Sequence, residues 1–167
     1  MRGGRARGTT HLTSMTIERP SPARPDEEKA LTGLLSAQLE EHGFSLSSEL
    51  LVQAVRGALE DDSSARILVA RDSGRPVGFA YVSVQLSLER GGRVLWVEQL
   101  YVLPELRDRG IGGQLLQAAL DLARAQGCLA AELEVDDSHA RAANLYGRAG
   151  FQPLKRVHYL LPLDRPG

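Results

Sequence analysis

One stretch constrains this chain more than any other: Val102-Leu103-Pro104-Glu105-Leu106-Arg107-Asp108-Arg109-Gly110-Ile111-Gly112-Gly113-Gln114-Leu115-Leu116. Residues 94–103, which run into it, are apolar at odd and even positions alike. That is the pattern of a strand buried on both faces. Residues 115–125, which leave it, carry the helical period. A buried strand that passes through a basic turn and three glycines into a helix commits the chain to an α/β layer structure.

Each part of this stretch suits phosphate. Glycine has no Cβ, so the backbone can approach a ligand closely. The first amides of a helix lack internal partners, and the helix dipole adds positive potential there. Arg107 and Arg109 supply charge. Two common phosphate motifs are excluded. A P-loop needs Gly-Lys-Ser/Thr, and no Gly-Lys occurs in the chain. The dinucleotide fingerprint needs a third small residue where Leu115 stands, which disfavours a dinucleotide-dependent enzyme.

The rest of the chain fits one α/β domain, residues 16–167. Its 167 residues and 43% hydrophobic content suffice for a single core. Residues 1–15 hold Arg2, Arg5 and Arg7 with Gly and Thr and almost nothing apolar. They read as a disordered tail or upstream extension, with a nucleic-acid arm less favoured, and Met15 is an alternative start. Residues 17–25 are proline-rich and extended. Helical spacing marks 27–41, ended by Gly43. A second helix carries Leu50, Leu51, Ala54, Val55, Ala58 and Leu59, capped by Ser47 or Ser48. Strands are expected at 67–70, 77–88, 94–103 and 129–135, then at 151–154 and 157–163. The last helix spans 140–149. An antiparallel start therefore leads into a central β-α-β unit.

At this point the chain resembles a known family. Arg107-x-x-Gly110-x-Gly112, preceded by Leu100-Tyr101-Val102 and followed by a helix, looks like the acetyl-CoA signature of the GNAT superfamily. Residues 140–151 look like that family's late helix, which ends in Leu-Tyr-x-x-x-Gly-Phe, here Leu145-Tyr146 and Gly150-Phe151. The resemblance covers roughly residues 65–163. It implies the GNAT fold, a mixed sheet of about six to seven strands flanked by about four helices. In that fold the fourth strand splays at a β-bulge.

The resemblance also implies an N-acetyltransferase that uses acetyl-CoA as co-substrate and no metal. Backbone groups of Leu100, Tyr101 and Val102 are expected to hold the pantetheine arm. One of their amides would polarise the thioester carbonyl. The amides of Asp108, Arg109, Gly110, Ile111, Gly112 and Gly113 are expected to hold the pyrophosphate, with Arg107 beginning the motif. His139 stands where many members carry Asn, seven residues before the tyrosine, and either it or water takes over that polar contact. Asn144 lies about 200° around the helix from Tyr146 and is no substitute.

Acyl transfer to an amine needs a neutral amine, a donor for the oxyanion and a proton for the leaving thiolate. Glu98 interrupts the apolar run Val94-Leu95-Trp96-Val97 and is the candidate base. The other reading of Glu98 is a pocket-lining or arginine-paired carboxylate. Tyr146 is the candidate acid, against a purely packing role for its ring. A non-enzymatic acyl-CoA-binding protein of the same fold is the alternative, which would need neither residue. Asp136, Asp137 and His139 read as helix capping rather than as a metal site.

Partners follow from charge. The formal net charge of −1 favours neither nucleic acid nor a membrane surface. The lone Cys128 excludes an intrachain disulfide and fits the cytoplasm. Residues 26–62 carry Asp26, Glu27, Glu28, Glu40, Glu41, Glu49, Glu60, Asp61 and Asp62 against Lys29 and Arg56. That lean favours a cationic acceptor amine, on a small molecule or a peptide. Homodimers are common in the family.

Overall fold

A computed structural model of the chain describes residues 14–20, 25–60, 65–136 and 139–163. Of these, the residues up to Glu134 form one compact unit, and those from Val135 form a second.

The first unit is built on a five-stranded sheet in the order β1-β2-β3-β4-β5. β1 (Met15–Glu18), β2 (Ala65–Asp72), β3 (Arg75–Ser87) and β4 (Gly92–Val102) are antiparallel neighbours. β5 (Ala130–Leu133) lies parallel to β4. Parallel neighbours need a crossover, which α3 (Ile111–Ala125) provides. α1 (Pro25–Glu41) and α2 (Ser48–Glu60) precede β2. Ser47 caps α2, with its Oγ accepting from Leu50 N–H at 3.4 Å.

Both faces of the sheet are covered. In β2, Ile67 and Val69 point one way and Leu68 and Ala70 the other, yet all four are buried. On one face, Leu31 and Leu34 of α1 and Val55 of α2 join Ile67, Val69, Phe79 and Tyr101 in a single cluster. α3 packs on β2, β3 and β4 and covers the opposite face. Its buried residues, Ile111, Leu115, Leu116, Ala119 and Ala123, recur at helical spacing. Each fully buried large aliphatic side chain contributes about 1.5–3 kcal/mol. Among the described residues no helix is long and apolar enough to cross a membrane.

Two ionic and steric details hold the strands in place. Arg71 is buried on β2 and donates from Nε to Glu18 of β1 at 2.5 Å. Its other arm pairs with Glu27 of α1, itself only 3% exposed. One guanidinium thus ties a strand and a helix to β2. Gly78 sits opposite Val102, and a Cβ there would lie 2.6 Å from the carbonyl oxygen of Tyr101.

The second unit contains α4 (Ala140–Arg148). Its end follows the Schellman pattern. Gly150 adopts φ +94°, the left-handed region that glycine favours. Its N–H bonds to Gly147 O at 3.1 Å, and Phe151 N–H reaches back to Tyr146 O at 3.0 Å.

The structure departs from the sequence-based expectation at both ends of the sheet. β1 was expected only as extended chain; its four residues are too short for an alternating pattern to register. The strands expected at 151–154 and 157–163 do not form, so the described sheet has five strands rather than six to seven. Pro153 and Pro162 lack the N–H that a ladder needs. Arg156 N–H also turns back onto Leu154 O at 3.0 Å, a two-residue closure that breaks an extended run. Of the tail expected at 1–15, only Ser14 and Met15 lie within the described residues.

Glycines in this fold carry opposite predicted effects. Gly78→Ala forces a Cβ against backbone and should cost about 1–3 kcal/mol. Gly33, exposed within α1 with open space around it, should gain about 0.5–1 kcal/mol as Ala. Urea midpoints should therefore move in opposite directions at unchanged m. A Gly78→Ala midpoint equal to that of the parent would contradict the close strand approach.

Candidate active site

The site begins with one extra residue on β4. Tyr81 of β3 is opposite Gln99, and Val82 is opposite Val97, so Glu98 has no cross-strand partner. That is a β-bulge, which leaves the extra residue unpaired and bends the strand. β5 pairs with β4 only along Val94, Leu95, Trp96 and Val97. Beyond Val97 the β5-facing edge of β4 has no strand beside it among the described residues. β4 is the fourth strand, and it splays as the resemblance implies.

Hydrogen-bond phase decides which backbone groups face that open edge. Leu103 N–H donates to Val77 O at 2.9 Å. The Gly78–Val102 pair between them is therefore a non-hydrogen-bonded pair, whose own N–H and C=O point away from β3. Leu100, opposite Ala80, repeats that orientation. Tyr101, opposite Phe79, turns its backbone groups toward β3 instead. Of the three residues expected to hold the arm, Leu100 and Val102 thus turn their backbone groups to the open edge, where Arg107 takes the Val102 carbonyl, and Tyr101 turns its own toward β3. Without the bulge the phase would be reversed.

The bulge also moves Glu98 out of the apolar surroundings expected from its neighbours. Its side chain is exposed, and its Oε1 accepts from Ser83 Oγ at 3.0 Å. Ser83 follows Tyr81 and Phe79 at a spacing of two, so this carboxylate lies on the face that α1 and α2 cover. Trp96, opposite Ser83, is half-buried.

The glycine turn follows directly. After a 3₁₀ turn at Pro104–Leu106, Asp108 adopts φ +61° and Gly110 φ +80° before α3 starts at Ile111. The N–H groups of Ile111, Gly112 and Gly113 head α3 and have no intrahelical acceptor. A Cβ built on Gly110 would meet nothing within 4 Å, so the turn opens onto space. Arg109 is exposed beside it. An anion with an extended tail fits this arrangement, with the anion at the helix start and the tail along Val102 and Leu100.

Arg107, expected to bring charge to a phosphate, is engaged by protein groups in this structure. Its Nε donates to Val102 O at 2.9 Å. Nη1 and Nη2 grip both carboxylate oxygens of Glu41, at 2.9 and 2.5 Å. The guanidinium lies 5.4 Å from the centre of the Tyr101 ring. The hydrogen bonds to Glu41 hold Arg107 charged, above its already high ordinary pKa. Its side chain is a strut, and the sequence missed its partner because 66 residues separate the two.

The acidic helices are likewise less acidic than their count. Glu27, Glu28 and Glu41 are paired with Arg71, Arg56 and Arg107. Asp61, Asp62 and Asp137 lie outside the described residues. Gln38 is buried on α1, and its Oε1 has no hydrogen-bond partner among the described residues.

In the second unit, Tyr146 sits on α4 with its ring edge-on to Phe151, centroids 5.9 Å apart. This is the apolar contact that accompanies a Schellman end. It explains the spacing of Tyr, Gly and Phe and assigns nothing to the hydroxyl. Burial pushes the Tyr146 phenol above its ordinary pKa. His139 is the N-cap residue of α4, with Ala143 N–H bonded to its carbonyl at 3.1 Å and no cap bond from its ring. Cys128 is half-buried, and desolvation raises its thiol.

Residues 30–151 match the model of the acetyltransferase (GNAT) family. The chain is 32% identical over 108 residues to the uncharacterized N-acetyltransferase YhfO of Bacillus subtilis (strain 168), covering 64% of this chain and 72% of that one. It is 32% identical over 111 residues to an aminoglycoside N(6')-acetyltransferase type 1 of Klebsiella aerogenes, covering 64% and 71%. Among solved structures, an integron cassette protein from the mobile metagenome of Cole Harbour Salt Marsh superposes with TM-score 0.77 at 25% identity, over 90% of this chain and 91% of that one. The aminoglycoside N-acetyltransferase AAC(6')-Iy, solved with CoA, shares the fold with TM-score 0.78 at 20% identity, over 92% and 98%. The chain belongs to the GNAT acetyltransferase family and is an acyltransferase.

Proposed function

We propose that this enzyme transfers the acetyl group of acetyl-CoA to a primary amine of a small molecule or peptide. One observation carries the reading: the edge of β4 that has no strand beside it among the described residues leads from the bulge at Glu98, through the 3₁₀ turn, to the glycine start of α3. The amides of residues 108–113 receive the pyrophosphate. Leu100 and Val102 pair with the pantetheine arm as a neighbouring strand would, and an amide of this edge polarises the thioester carbonyl. His139, or water in its place, supplies a polar contact to the arm. When bound, acetyl-CoA supplies the activated acyl group; the protein supplies position and protons.

Glu98 takes the proton of the incoming amine. Its exposed carboxylate and its bond to Ser83 suit a group that meets a soluble acceptor. Tyr146 protonates the departing sulfur. Its raised pKa keeps the phenol in the acid form beyond the usual tyrosine value of about 10, so this group stays competent in alkali. The case for a cationic acceptor rests on Glu98 rather than on the helices, whose carboxylates are partly neutralised. Aminoglycosides, in the names of two similar proteins, head the panel of amines to screen.

Acetyl-CoA should raise the melting temperature of the parent protein by mass action. Gly112→Asp should abolish that shift, because it sets a carboxylate where the pyrophosphate is held. An acidic residue in the first turn of α3 favours the helix, so loss of binding would not reflect loss of fold. An undiminished shift in the variant would remove the cofactor assignment.

The two proton-transfer residues should leave opposite pH signatures. Tyr146→Phe keeps the ring against Phe151 and should lower turnover about 10²-fold at every pH, with little change in acetyl-CoA affinity. Glu98→Gln should lose activity near neutrality and regain part of it at high pH, where the amine is already neutral. Parental turnover in Tyr146→Phe, with chemistry rate-limiting, would return the tyrosine to a packing role.

A further inference from the structure

The end of the sheet away from the glycine turn has its own opening. β2 begins at Ala65, which is opposite Ser83, so the last residues of β3 run on past it beside β4 alone. The last turn of α3 meets this overhang: Leu122 and Gln126 line one cavity together with Val84 and Leu86. The buried stripe of the helix has shrunk there from Leu115 and Leu116 to Ala119 and Ala123. The cavity measures about 350 Å³, within the range of small-molecule sites. α3 has 15 residues, so the cavity is about 20 Å from the amides that start the helix.

The lining joins two kinds of group. Val84, Leu86 and Leu122 are apolar, and Leu86 is 72% exposed. Arg66 and Arg93 carry charge, and among the described residues none that lines the cavity is acidic. Register fixes how the arginines stand. Arg66 of β2 is opposite Val82, and Arg93 of β4 is opposite Leu86. Val82, Val84 and Leu86 share one face of β3, so the arginines flank a single apolar row from its two sides. Two strand spacings and four residues of rise separate them, about 16 Å between Cα atoms. The guanidinium groups therefore reach the cavity from opposite sides instead of converging on one point. Helix polarity does not account for both. The negative end of α3 attracts a cation, and Arg124 of its own last turn already supplies one. Arg66 Nη1 donates to Ala65 O at 2.7 Å. Arg93 is exposed and forms no ion pair among the described residues.

We propose that this cavity is a second ligand site, which takes a small organic dianion: two carboxylates joined by a short apolar body. Each carboxylate meets one guanidinium, whose planar fork matches it. The body lies along Val84 and Leu86 against Leu122 and covers apolar surface that is open to water. The Gln126 amide can donate to a carboxylate at the mouth. The site is independent of the acetyl-CoA reading of the glycine turn.

Adipate and hexanoate make a matched pair of probes, alike in length and differing by one carboxylate. Titration followed by amide NMR should show saturable shifts at residues 84–86 and 122–126. Adipate should bind at least about tenfold more tightly than hexanoate, the factor that one charge-assisted contact supplies. Arg93→Gln should bring adipate down to the hexanoate level, with unchanged peaks elsewhere showing that the variant is folded. Saturating acetyl-CoA should leave the adipate shifts in place. Equal affinity for the two probes, full adipate affinity in Arg93→Gln, or no saturable shift overturns the site. Displacement of adipate by acetyl-CoA overturns it too, by placing the probe at the glycine turn.

Discussion

Everything distinctive about this protein depends on a single surplus residue in a buried strand. Until Val97, β4 is an ordinary interior strand, paired on both sides. Glu98 breaks the count, and three consequences follow from that one break. The strand bends away from β5 and exposes an edge. The backbone phase beyond it shifts, so Leu100 and Val102 face outward. The carboxylate of the extra residue leaves the apolar stripe and reaches solvent on the face of α1 and α2. A period-2 strand offers no cheaper way to combine an open edge, correctly phased donors and a polar side chain within five residues.

Much of this was legible in the sequence, for reasons that differ by element. The glycine turn was legible because its chemistry is local: a strand, three glycines and a helix start within fifteen residues need no tertiary information. The helices were legible from their period, and α3 only began earlier than the stripe suggested, since Gly112 and Gly113 carry no apolar signal. The late motif was legible as a pattern, and the structure supplies its physics: Gly150 takes the left-handed cap and Phe151 closes onto Tyr146. Long-range pairing was not legible. Nothing near Arg107 marks Glu41 as its partner, and nothing near Glu27 marks Arg71. The strands expected after α4 failed for a local reason that the apolar residues concealed, namely prolines and a tight turn in the backbone.

Those long-range pairs change how the charge of α1 and α2 is read. A count of carboxylates describes the potential of a helix only if the carboxylates are unpaired. Here Glu27, Glu28 and Glu41 each serve an arginine from elsewhere in the fold. The excess that leaned toward a cationic acceptor is therefore partly internal architecture. Near the bulge, Glu98, Ser83 and Trp96 stand on one face of the sheet, and the amide oxygen of buried Gln38 has no hydrogen-bond partner among the described residues.

The tie at Arg71 has a different kind of consequence, for how far this chain can be trimmed. Its guanidinium is sealed between β1 and α1, with Glu18 on one arm and Glu27 on the other. A buried charge that loses one partner costs several kcal/mol, a large share of the stability of a small domain. Glu18, on the first strand, is one of the two anchors of that tie. Electrostatics thus make Glu18 a residue that trimming from the N-terminal side must keep.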